Sequence, residues 1–117
     1  MTDEENYIEE IQSHIDYEVG DWVETCSMLP GIVEKINVKE DDVEIFYPHY
    51  ALNPKYYPYK GGSHCSIVHC GVHKITPRYA SMLLAIGEEK LKELWADEET
   101  KNTPWEEVVE DYYKNKL

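Results

Sequence analysis

Along residues 2–15 the apolar positions Tyr7, Ile8, Ile11 and Ile15 recur at intervals of three and four on an acidic background, and Thr2 stands three residues before Glu5. That spacing predicts a short amphipathic helix opened by a capping box, with acids in its first turn meeting the positive end of the helix dipole. From Tyr17 the period falls to two. Trp22 and Val23, then Ile32, Val33 and Ile36, then Val43, Ile45 and Tyr47 read as three strands separated by the turns "LPG" and "KEDD". Residues 47–62, "YPHYALNPKYYPYKGG", carry five tyrosines and three prolines. Proline is excluded from central strands and helix interiors, so this stretch is predicted as a long loop or extended edge segment.

The last third returns to helical spacing. Thr76 and Pro77 predict an N-cap and first helical residue, with Tyr79, Met82, Leu83 and Ile86 on one face. Gly87 interrupts, and Leu91, Leu94 and Trp95 make the next apolar stripe. "TPWE" at 103–106 predicts a helix capped by Thr103, with Val108, Val109, Tyr112 and Tyr113 as its buried side. On this pattern Trp95 and Trp105 belong to the core.

"VGDWVE", then Gly31 followed by "IVEKI", then "DDVEIFY" resembles the opening of an SH3-like small barrel of the KOW type. In such barrels a V-G-D-x-V strand begins the sheet and a G-x-V-x-x-I strand follows. The likeness covers about residues 17–76 and implies a fold, with no catalytic residues to transfer. The expected architecture is α+β in one domain: an acidic helix over 1–16, a five-stranded SH3-like barrel over 17–76, and a helical part over 77–117.

A length of 117 residues suits one domain, and 30% charged with 42% hydrophobic residues is the composition of a folded globular chain. The net charge of −13 is unevenly spread. Residues 1–24 hold nine acids and no Lys or Arg, residues 25–76 balance five acids against five lysines, and residues 77–117 set ten acids against six bases. Such a field repels phosphate and anionic lipid and attracts basic surfaces. The expected partner is therefore a protein with a basic surface, with no direct nucleic acid and no membrane. Three cysteines, no secretory leader and no bilayer-length apolar run point to a reduced cytoplasmic setting without a disulfide framework.

One stretch gathers candidate chemistry: "KGGSHCSIVHCGVHKITP", residues 60–77, holds His64, Cys65, His69, Cys70 and His73. On a helix, Cys65, His69 and His73 would share a face at metal-ligand spacing. Gly61, Gly62, Gly71 and the β-branched Ile67, Val68 and Val72 oppose a helix. On a strand, residues four apart stand roughly 13 Å apart, too far to share one zinc. A metal site would have to recruit Cys26, His49 or an acid from elsewhere. The simpler reading is a strand with small buried thiols and no cofactor. Nothing in the sequence gives Cys65 or Cys70 the lowered pKa of a catalytic thiolate.

Two features suit binding. Tyr50, Tyr56, Tyr57 and Tyr59 either anchor a partner or cap the core as an ordered loop. Glu9, Glu10, Asp16 and Glu18 either steer a basic partner or serve solubility. The function expected is that of a non-enzymatic acidic protein-binding module. In size and charge alone the chain is also similar to phage and mobile-element inhibitors of nucleic-acid-binding proteins, anti-CRISPR proteins among them, and to toxin-neutralising immunity proteins. A small zinc-binding protein using the cluster at 64–73 is the third reading.

Overall fold

The computed structural model describes residues 2–52 and 61–117. Tyr56, Tyr57 and Tyr59 lie outside the described residues. Helix α1 (Asp3–Ser13) opens with the capping box: Thr2 Oγ1 accepts from the Glu5 amide at 3.2 Å, and Glu5 Oε2 accepts from the Thr2 amide at 3.4 Å. Strands β1 (Trp22–Glu24), β2 (Gly31–Asn37) and β3 (Asp42–Phe46) follow, then a short helix α2 (Pro48–Leu52), β4 (Gly62–Cys65) and β5 (His73–Lys74). Helices α3 (Pro77–Ile86), α4 (Glu88–Ala96) and α5 (Trp105–Lys116) complete the chain, with a 3₁₀ turn at Glu98–Thr100.

The five strands form one antiparallel sheet in the order β4-β3-β2-β1-β5. It is open, with β4 and β5 as its two edges. The expected α+β class is present, as a sheet that does not close. In β2 a register shift between Val33 and Lys35 lets Val33 and Ile36, an odd number of residues apart, both reach the same core. Ile11 and Ile15 bring α1 onto that core beside Val23, Val33, Val43, Ile45 and Ile67.

A second core joins Leu29 to Ile75, Tyr79, Leu83, Leu91 and Val109, and Trp22 packs against it from β1. Strand β1 thus contributes to both cores, Val23 to one and Trp22 to the other, as alternation along a strand requires. Among the described residues no helix is long and apolar enough to cross a membrane.

Four expectations change. Residues 48–52 are helical, because Pro48 occupies a first-turn position whose missing N–H costs nothing. Only 62–65 and 73–74 of the His/Cys stretch are strand; 66–70 is a turn held by the Asp41 carboxylate, which accepts from Ser66 Oγ at 2.6 Å and the Val68 amide at 3.1 Å. Helix α5 starts at Trp105 without a side-chain cap, so Thr103 does not play the expected role. By contrast Thr76 caps α3, accepting from the Tyr79 amide at 3.1 Å, and Gly87, at φ +90°, separates α3 from α4 as expected. The last change is Trp95, which is 63% exposed instead of core.

Candidate functional site

The alternation of β1 places Trp22 and Glu24 on one face, toward the helices, with Val23 on the other. Glu24 is opposite His73 in the β1–β5 ladder. Between these strands, α3 and the first turn of α5 lies a cleft of about 330 Å³, lined by Glu24, His73, Lys74, Thr76, Tyr79, Trp105 and Glu106 among others.

The Glu24 side chain is only 16% exposed. Burial pushes its pKa up, the His73 and Tyr79 interactions pull the other way, and the Glu106 charge adds to the rise. Tyr79, buried in the lining of the same cleft, has its own pKa raised by burial and by the charges of Glu24 and Glu106. His73 Nδ1 lies 3.2 Å from the Gly71 carbonyl oxygen, which can only accept, so Nδ1 carries the proton. His73 Nε2 faces Glu24 Oε2 at 4.0 Å. Lys74 Nζ is drawn to Asp21 at 3.5 Å, and Arg78 to Glu110 at 3.1 Å.

Trp105 is half-buried and meets Trp95 edge to face, with ring centroids 5.2 Å apart and planes at 81°. Beyond Trp105 a second cleft of about 340 Å³ runs past Leu94, Trp95, Thr100, Lys101 and Thr103. Trp105 therefore lines both clefts, with Glu106 in the first and Trp95 in the second. Aromatic surface next to carboxylates suits a cationic, partly apolar group.

The residues singled out from the sequence lie elsewhere. Glu9 and Glu10 are exposed on α1, and Glu18 is exposed after it. Asp16 Oδ1 accepts from the Lys74 amide at 3.0 Å, tying the end of the α1 segment to β5. Tyr50 is half-buried against both cores, its hydroxyl 3.3 Å from Ser27 Oγ and its ring tilted against Tyr47 and edge-on to His49.

Cys65, His69 and His73 do not converge: Cys65 is buried at the end of β4, while His69 and His73 are exposed on the 66–70 turn and on β5. Among the described residues no three His, Cys, Asp or Glu side chains are grouped so as to hold a metal ion. The Cys65 thiol, pushed up to about 12 chiefly by burial and then by Cys70 and Cys26, stays protonated at neutral pH.

The cleft was missed in the sequence because its members come from four separated elements. One signal was readable: W-V-E puts a carboxylate on the same strand face as a tryptophan, and a carboxylate directed at a core surface is unusual. Compared with protein-family models, curated proteins and solved structures, the chain matches none.

Proposed function

We propose that the protein is a non-enzymatic module that binds a basic protein surface, on a core related to the SH3-like small barrels. The observation that carries this reading is the Trp95–Trp105 pair, exposed at Trp95, with Trp105 sharing a cleft with the Glu24 and Glu106 carboxylates, on a chain of net charge −13. Tryptophan is among the residues that most often dominate binding energy at protein interfaces, and a surrounding negative field accelerates encounter with a basic partner. The barrel relationship is supported by the sheet order, a four-strand meander whose first strand also pairs with the last, and by the bulge in β2 that bends it.

The test is a pull-down with the full chain at low and high salt, with and without competing DNA or RNA, repeated with Trp95→Ala. A reproducible basic partner is expected, captured less well as salt rises. Its affinity falls by about 30-fold in Trp95→Ala, the loss of one interface hot spot of roughly 2 kcal/mol. A partner held equally by parent and variant, or none at either salt, overturns the reading. Displacement of the partner by nucleic acid would identify it as a nucleic-acid-binding protein, as an inhibitor requires.

A further inference from the structure

The cleft between β1, β5, α3 and α5 is built for a particular cation. We infer that it seats the guanidinium of an arginine side chain, and this rests on the protein-binding reading above. Glu24 supplies a carboxylate already removed from most solvent, its side chain 16% exposed, with His73 Nε2 standing off at 4.0 Å. A carboxylate has room for about four hydrogen bonds, so Glu24 retains acceptor positions for a two-pronged donor.

Glu106 lines the same cleft from the first turn of α5, with the half-buried Trp105 indole beside it. The planar, weakly hydrated guanidinium can stack on such a ring while donating in parallel to a carboxylate, whereas an ammonium keeps its hydration shell and has no matching fork. The cationic groups already present do not fill the role. Lys74 is engaged by Asp21 at 3.5 Å, Arg78 by Glu110 at 3.1 Å, and His73 holds its Nδ1 at the Gly71 carbonyl, with Nε2 at 4.0 Å from Glu24, beyond hydrogen-bond distance. The cleft, about 330 Å³, is ample for a guanidinium and its aliphatic stem.

The experiment titrates Nα-acetyl-arginine methylamide, and separately its lysine counterpart, into the full ¹⁵N-labelled chain and follows backbone amides and indole N–H signals. Saturable shifts are expected at Lys74, Thr76, Glu106 and the Trp105 indole, with arginine at least about threefold tighter than lysine. Glu24→Gln should weaken arginine binding by at least about fivefold and Glu106→Gln by less, while Glu9→Gln changes nothing.

Shifts centred on α1, equal affinity for the two probes, or undiminished binding in both Glu24→Gln and Glu106→Gln would overturn the assignment. A partner captured through Trp95 by a cleft that does not take arginine would sink this inference and leave the protein-binding reading standing. Arginine binding with no protein partner would do the reverse.

Discussion

Asp41 offers the sharpest energetic test, because one side chain holds together two segments far apart in sequence. It is the only non-glycine with positive φ among the described residues, at +48°, closing the turn between β2 and β3. Its carboxylate accepts from Ser66 Oγ at 2.6 Å and from the Val68 amide at 3.1 Å, and Ser66 Oγ in turn accepts from the His69 amide at 3.2 Å. These bonds fix the 66–70 turn that seats Ile67, 1% exposed, in the first core. Hydrogen bonds to a charged group contribute about 1.5–3 kcal/mol each when buried; the partly exposed site calls for the low end, about 2–3 kcal/mol for the pair.

Asp41→Ala also keeps a β-carbon in the left-handed region while losing the short polar side chain that lets aspartate sit there, adding about 1 kcal/mol. Asp41→Gly relieves that strain, and Asp41→Asn tolerates it while keeping an acceptor for Val68. Urea denaturation at neutral pH should therefore rank the losses as Ala about 3–4, Gly about 2 and Asn about 1 kcal/mol. The Ser66 hydrogen bond and the Val68 amide hold the Asp41 carboxyl below its ordinary value despite desolvation. That contribution is present above the unfolded carboxyl pKa and disappears as pH falls through the lowered folded value, so the gap between parent and Asp41→Asn should narrow in acid. An Ala variant within about 0.5 kcal/mol of the parent, or a Gly variant less stable than Ala, would refute the assignment of these bonds.

Three further outcomes follow from the same structure. Leu83, fully buried between the C-terminal helices and Leu29, should cost about 2–5 kcal/mol as Leu83→Ala in thermal or urea unfolding; a loss under 1 would mean that the second core is loose. In Gly31→Ala the new β-carbon would collide with Ile45 Cγ2 and sit 3.1 Å from both the Phe46 carbonyl oxygen and Tyr47 Cε1. Overpacking of about 1–3 kcal/mol is expected, and an unchanged urea midpoint would show that β2 and β3 are not so closely apposed.

For Glu24 the sign runs opposite to that of Asp41. Burial raises its folded pKa, so its contribution is fully present below the unfolded pKa and lost as pH rises through the folded one. Glu24→Gln should therefore gain stability relative to the parent between acid and neutral pH, and parallel stability profiles would contradict the desolvation.

What the sequence by itself determined is the set of local elements. Thr2 and Glu5, Thr76 and Pro77, and Gly87 act through bonds and dihedral preferences that span a few residues, and the α1 capping box, the α3 start and the α3–α4 break stand where the sequence places them. The alternation at Val43 and Ile45 likewise marks the buried face of β3, because a strand's side chains can only alternate.

Tertiary structure decided the rest. The run from Ser66 to Cys70 contains Ile67 and Val68 and reads as strand, yet a carboxylate from the β2–β3 turn offers its amides better partners than an edge strand would. Trp95 falls on an apolar stripe at helical spacing, yet it packs perpendicular to Trp105 and stays 63% exposed. The Glu24 cleft exists only because β1, β5, α3 and α5 meet. Periodicity records which side of its own element a residue occupies; what stands opposite is set by how the elements pack, and that is where charge, burial and recognition are decided.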